Sequence, residues 1–321
     1  MKKVISIIIS PILLAVIYSK IDFFQLVQVL EDSHKWWIII SLSMVIPLAM
    51  LTAWRLQQLM PTASLGFGEA NRLILSASVL NMILPSKMGD IAKAYFIQDK
   101  QYLNGSLSLS LVIFEKICDL LSILLWCAFG LILYPQKGCF FLTILTSVIF
   151  GILIGFFVLC SDKFAKLFFH IISFFAFYKF KKTLKRMHSS WQEMHNYFWH
   201  NKIIFLRTIA ISIFISFGHF LQIWLFILAL NAWTPFLNHI ALCPLAILAG
   251  LIPLTFAGIG TRDAAFIALY QPYLHAPTAA ALGLLCTSRY LLLAIGGIPF
   301  LGQYLSAMGK KRGFLSKNRH W

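Results

Sequence analysis

Charge is what this sequence has least of. Only 12% of its 321 residues are Asp, Glu, Lys or Arg, and 60% are apolar. A soluble domain carries about a quarter charged residues and under half apolar ones. Acids are the scarcest class, 11 against 27 Lys and Arg. There is no acidic DDxxD cluster, no nucleophilic triad and no phosphatase-like His/Arg set, so no catalytic motif is identified and a transporter-like role is favoured over an enzyme. The six cysteines (118, 127, 139, 160, 243 and 286) form no CxxC, which leaves neither a zinc site nor a disulfide framework. They read as small hydrophobes in apolar runs. The nine His form no HExxH, and no metal or cofactor is expected. The net charge of +16 does not mark a nucleic-acid binder, because the Lys and Arg excess lies in loops and tail, as the positive-inside rule requires.

What the chain does have is long apolar runs, several of them near or above the roughly 18 residues that cross a bilayer. The fold class expected is an all-α polytopic membrane protein. Span one is placed at 4–19, behind cytoplasmic Lys2 and Lys3 and with no cleavage site after it. A short amphipathic piece at 20–35, with Asp22, Glu31 and Asp32, suits the outer side. Span two is 36–57, with Trp36 and Trp37 at one end and Trp54 and Arg55 at the other as belt and cytoplasmic anchor. Spans three to six fall at 106–134, 139–160, 203–230 and 276–308. Gly151 and Gly155 in span four have the GxxxG spacing of a close helix contact.

Between spans four and five, residues 161–202 carry eight Lys and Arg against Asp162 and Glu193. Lys179, Lys182 and Arg186 share a helical face near Phe174, Phe175, Phe177 and Tyr178. The segment reads equally as an amphipathic helix on anionic headgroups or as a solvated cytoplasmic connector. The tail from Lys310 to Arg319 is basic without an acid, and so cytoplasmic. Six spans put both termini inside only if the two remaining segments, 66–100 and 240–272, add no net crossing. Each then enters and leaves on one face as a re-entrant or broken helix, or contributes a pair of short spans. The halves, about 1–134 and 138–308 of a single domain, have the same order of span, span, broken segment, span, starting from opposite sides. Such inverted repeats with interrupted helices place a transporter site at the repeat interface.

Three motifs put charge where the apolar runs break or pass. The first is NMILPSKMGDIAK, with Asn81, Pro85, Lys87, Gly89, Asp90 and Lys93. Pro85 removes a backbone donor, and a helix starting after Gly89 would aim its N-terminal N–H groups at the break. With the lysines, a phosphate is the natural guest; the plain alternative is a cytoplasmic loop. The second is FEKICD within span three, where Glu115 and Asp119 lie i,i+4 on one face beside Lys116. A charge at a helix centre costs roughly 2.5–3.5 kcal/mol on insertion scales, so these need partners or water. They serve either a functional site or a structural ion-pair network. The third is IPLTFAGIGTRD, with Pro253, Gly258, Gly260, Arg262 and Asp263. Arg289 stands in the apolar run of span six, available to a carboxylate or a lipid headgroup.

These motifs, in this order, resemble those of the lysylphosphatidylglycerol synthase transmembrane region, a flippase-like membrane domain, over nearly the whole chain. Asn81, Pro85, Gly89 and Asp90 match N-x-x-x-P-x-R-x-G-E with Lys87 for Arg and Asp for Glu. Glu115, Lys116 and Asp119 match E-[RK]-x-x-D, and Gly258, Gly260, Arg262 and Asp263 match G-x-G-x-R-E, again with Asp for Glu. Family members that make lysyl-lipid carry a further soluble aminoacyl-transferase domain, for which the sequence after span six has no room. The resemblance therefore implies the translocation half alone: moving an anionic or zwitterionic lipid between leaflets. The function expected is a flippase of a phospholipid or polyprenyl-phosphate-linked sugar, and composition and positive-inside topology suit the plasma (inner) membrane. Two alternatives stand beside it, an accessory partner of an envelope glycosyltransferase or lipid-modifying enzyme, and an enzyme acting on a lipid phosphate.

Overall fold

The computed structural model describes residues 22–60, 65–83, 89–100, 102–134, 138–161, 163–167, 191–197, 199, 201–252, 255 and 258–317, the side chains of 106, 140 and 303–317 excepted. Every regular element among them is helical. In chain order these are α1 (Phe23–Glu31), α2 (Lys35–Ser43), α3 (Val45–Leu59), α4 (Phe67–Ile83), α5 (Gly89–Asp99), α6 (Gly105–Leu133), α7 (Cys139–Cys160), α8 (Lys202–Ala229), α9 (Phe236–Leu251), α10 (Thr261–Leu269) and α11 (Ala276–Lys317). Two short helical pieces, 163–167 and 191–197, lie between α7 and α8.

Among the described residues, five stretches are long and apolar enough to cross a membrane: Lys35–Leu59, Leu107–Leu133, Phe141–Cys160, Lys202–Ala229 and Ala276–Gly302. They coincide with spans two to six. Span one at 4–19, Lys87 and most of the basic 161–202 segment, including its Phe-rich stretch, lie outside the described residues. The described pieces of that segment are mostly exposed, Lys163, Lys166 and Glu193 among them, but each buries one edge, and Ala165 is buried. Trp191 and Met194 are buried, with Trp191 6.3 Å from the Phe114 ring. The amphipathic piece is α1, capped by Asp22, whose carboxylate accepts the Phe24 N–H at 2.9 Å. Span six continues as helix to Lys317 and tolerates Pro299 within it.

Apolar side chains point both ways, as a bilayer demands. α7 is the extreme case: only 17% of its apolar window is buried, and Phe150, Leu153, Phe156 and Phe157 face outward. Its inner face is the one with Gly151 and Gly155, where a Cβ would meet Leu124 and Leu121 of α6. The long α6 carries two cores. Leu111, Val112, Phe114 and Cys118 pack with α3, α4 and α5, while Cys127, Ala128 and Leu131 pack with α8, α9 and α10.

The arms of the two broken segments are short. α5 has 11 residues and α10 has 9, about 16 and 14 Å at roughly 1.5 Å per residue, against a hydrocarbon layer of about 30 Å. Each folds back on its preceding arm, α5 on α4 and α10 on α9. The two halves then exchange partners: α6 packs on α9, and α11 packs on α4. Both crossings bring backbones together at a glycine. A Cβ on Gly130 of α6 would lie 2.4 Å from the Ala241 nitrogen of α9. One on Gly297 of α11 would lie 2.1 Å from the Leu75 carbonyl oxygen of α4. Only a residue without a Cβ permits either approach.

Candidate functional site

The first motif and the second meet. α5 and α6 are packed neighbours, and α3 and α8 close the other sides of α6 and α4. From these elements comes a chain of alternating charge. Lys93 Nζ binds one oxygen of Glu115, and the other oxygen of Glu115 accepts from Arg55 Nη2 at 2.8 Å. Arg55 Nη1 donates to Asp119 and, at 2.7 Å, to Ser212 Oγ. Lys116 Nζ bridges Asp119 at 3.3 Å and Asp90 at 3.1 Å. Asn81 Nδ2 reaches Asp90 at 3.4 Å, which ends the chain. Three cations thus face three carboxylates. Arg55, Lys93 and Glu115 are 1% exposed, whereas the Lys116 side chain is 46% exposed. Gly89, at the start of α5, lies so close to α4 that a Cβ would fall 2.3 Å from the Ala77 carbonyl oxygen.

Arg55 corrects the sequence reading. A basic residue after Trp54 at a span end suggests an interfacial anchor, yet its side chain turns inward. The reason is electrostatic: Glu115 and Asp119 share one face of α6, and Lys93 and Lys116 reach only one oxygen of each within the membrane-spanning bundle. A planar guanidinium that can serve two carboxylates at once completes the set. The signal was present as a second basic residue near the membrane depth of the acid pair, but no spacing rule connects residue 55 to 115.

The third motif builds a second cluster. Gly260 has φ +96° and Gly258 has φ +77°, a turn that only glycine makes easily. It delivers the Gly260 N–H to Asp263 Oδ2 at 3.0 Å and opens α10. Arg262 donates through Nε and Nη2 to Asp263 Oδ1 at 3.2 and 3.0 Å, and through Nη2 to the Gly283 carbonyl and Thr287 Oγ1 of α11 at 3.2 and 2.7 Å. Arg289, 3% exposed, donates to Gln222 Oε1 at 3.1 Å and Tyr290 Oη at 2.9 Å, and lies 3.4 Å from His219 Nδ1. Both guanidiniums sit at the Tyr290 ring, Arg262 at 5.5 Å and Arg289 at 4.7 Å from its centroid.

No ion pair among the described residues joins the two clusters directly. What joins them is α8. Thr208, Ser212, Ser216, His219 and Gln222 recur at helical spacing along one stripe of this apolar helix. Ser212 meets Arg55, Ser216 Oγ meets Ser122 Oγ at 2.6 Å, and Gln222 meets Arg289 while exchanging hydrogen bonds of 2.8 Å with Ser41 of α2. From Ser212 to Gln222 the helix rises about 15 Å, half the hydrocarbon thickness. The signal for this stripe in the sequence is polar residues at i, i+4, i+8, i+11 and i+14 inside an apolar run.

Over residues 3–299 the sequence matches the family described as Lysylphosphatidylglycerol synthase TM region. The chain belongs to that family. A UPF0104 membrane protein of Methanocaldococcus jannaschii is similar to it, 22% identical over 302 residues that cover 87% of this chain and 88% of the relative. Of the described motif residues, Asn81 is on α4, Gly89 and Asp90 open α5, Glu115, Lys116 and Asp119 are on α6, and Arg262 and Asp263 are on α10; Glu115, Arg262 and Asp263 are buried and Lys116 is half-exposed. Among the described residues no group of His, Cys, Asp or Glu is arranged to hold a metal. The four cysteines in the interior (118, 127, 243 and 286) are free and buried, and Cys139 is exposed.

Proposed function

We propose that this integral membrane protein is a lipid translocase of the plasma (inner) membrane, with both termini cytoplasmic. It moves the headgroup of a phospholipid or of a polyprenyl-phosphate-linked sugar between leaflets. The observation that carries the reading is the pair of buried charged clusters, one in each half, linked through hydrocarbon depth by the polar stripe of α8. Carrying a polar headgroup across the bilayer requires polar partners at every level, because an unpaired charge in hydrocarbon is costly.

The reciprocal packing of α6 on α9 and α11 on α4 supports an inverted repeat. So do the matched glycine crossings and the two short-armed broken segments. In that arrangement α4–α5 is a re-entrant pair open to the cytoplasm and α9–α10 its counterpart open to the outside. The positions agree with this orientation: Arg55 lies toward the Leu59 end of its span, Glu115 toward the Leu107 end and Ser212 toward the Lys202 end. All three ends are the cytoplasmic ones by the positive-inside rule. Rocking of one half against the other would expose each cluster in turn.

The test is transfer of a fluorescent phospholipid between leaflets of liposomes containing the purified protein, read by quenching from outside. Wild-type protein accelerates transfer, and Asp90→Ala and Arg262→Ala slow it at least tenfold. Wild-type rates in both variants would remove these residues from the pathway, and a wild-type protein without effect on several phospholipids and on a labelled polyprenyl-phosphate-linked sugar would remove the translocase.

A further inference from the structure

The two clusters are not equivalent. Among the described residues the first is balanced, with each of its three cations on a carboxylate. The second holds two guanidiniums and one carboxylate. Asp263 is taken by Arg262, and no carboxylate among the described residues lies within ion-pair distance of Arg289. Arg289 lies thirteen residues, about 20 Å, along α11 from Ala276, within the apolar run. Among the described residues it is a buried cation held by neutral acceptors. Two of the guanidinium N–H groups here are buried and without a hydrogen-bond partner, Arg289 Nε and Arg262 Nη1. Both belong to side chains that meet at Tyr290.

A buried charge without a counter-charge is retained when a ligand supplies it, since otherwise its desolvation is uncompensated. We propose that Arg289 and Arg262, meeting at Tyr290, form an oxyanion site for a phosphate group within the membrane-spanning region. This rests on the translocase reading for the source of the phosphate, a lipid headgroup, and not for the site itself. The arginine fork is suited to the task, offering planar N–H pairs to phosphate oxygens. Tyr290 holds the ligand-free guanidinium through its hydroxyl and its ring. The asymmetry also divides the labour: the anion is gripped within the apolar run of α11, while Asp90 and Asp119, next to the half-exposed Lys116, face the part of the pathway nearest the Leu107 end of α6.

The experiment uses the full chain in a neutral maltoside detergent, with thermal unfolding followed as ligand is added. The probes are decyl phosphate, sodium phosphate and, as a neutral chain of the same length, decyl maltoside. A ligand that binds only the folded protein raises its melting temperature. Decyl phosphate is expected to stabilise wild type, decyl maltoside not. Arg289→Gln is expected to weaken decyl phosphate binding at least tenfold, Arg289→Lys to retain part of it, and Lys202→Gln, at an exposed lysine outside both clusters, to leave the affinity unchanged. Ligand-free Arg289→Gln is expected to melt no lower than wild type, because it removes an uncompensated buried charge; a purely structural arginine would give the opposite. Sodium phosphate binding as tightly as decyl phosphate, and lost in Arg289→Gln, would support the site and assign it to a soluble phosphate. No stabilisation of wild type by either phosphate, or equal binding by Arg289→Gln, would overturn the site. Loss of binding in Lys116→Gln with binding intact in Arg289→Gln would move the anion to the first cluster and also overturn it. Failure of lipid transfer with Arg289-dependent binding intact would sink the translocase and leave the site standing.

Discussion

Removing Arg55 tests how the first cluster is held together. Its side chain is 1% exposed and its guanidinium joins Glu115 and Asp119 of α6 and Ser212 of α8. In Arg55→Gln the carboxylates of Glu115 and Asp119 each retain one lysine, so one negative charge in the cluster is left uncompensated. Breaking a buried pair by deleting one partner costs about 3–5 kcal/mol, much of it the stranded charge. That is a large part of the 5–15 kcal/mol by which folded domains are commonly stable. The double variant Arg55→Gln/Glu115→Gln restores charge balance, since Lys93, Lys116, Asp90 and Asp119 remain. Its loss should fall short of the sum of the single losses by more than about 1 kcal/mol, within the range measured for contacting residues. The assay is reversible denaturant unfolding in mixed micelles of the four proteins in the cycle. A loss below about 1 kcal/mol for Arg55→Gln, or strict additivity, would mean that Arg55 is solvated at the membrane surface and that the buried cluster is wrong.

Other expectations follow from the packing. Gly130→Ala and Gly297→Ala place a methyl against the backbone of α9 and α4 respectively, and each should cost about 1–3 kcal/mol in the same unfolding assay. Equal tolerance at both would remove the reciprocal crossings. Gly260→Ala must adopt φ +96° and should lower stability by about 1–3 kcal/mol, with α10 losing its fixed start; an unchanged melting curve would show that the turn is not made this way. Cys139, exposed at the start of α7, should react with a membrane-impermeant maleimide added outside intact cells, while Cys118, Cys127, Cys243 and Cys286 stay unlabelled. Labelling of Cys139 only after lysis would invert the proposed topology.

The spans were legible because a bilayer imposes one requirement, about twenty apolar residues in a helix, and Leu107–Leu133 or Lys202–Ala229 meet it without tertiary help. The charged motifs were legible as exceptions to that requirement. Their pairing was not. Glu115 and Asp119 announce a shared face through i,i+4 spacing, but the choice of Arg55 and Lys93 as partners is made by helix packing, which a single sequence does not encode in any local pattern. Arg289 is the converse case. Its position in an apolar run was visible, and the absence of a carboxylate partner for it among the described residues required the three-dimensional arrangement. Helix ends were less legible than helix centres: span six runs on to Lys317 because Pro299 leaves the helix unbroken.

The most direct measurement is the rate of leaflet-to-leaflet transfer of a labelled phosphatidylglycerol in liposomes holding wild-type, Arg289→Lys or Arg289→Gln protein. Transfer should be fast with wild type, slower with Lys and near the protein-free rate with Gln. Equal rates for all three, or a wild-type rate no greater than that of empty liposomes, would contradict the claim that the buried charges carry a headgroup across.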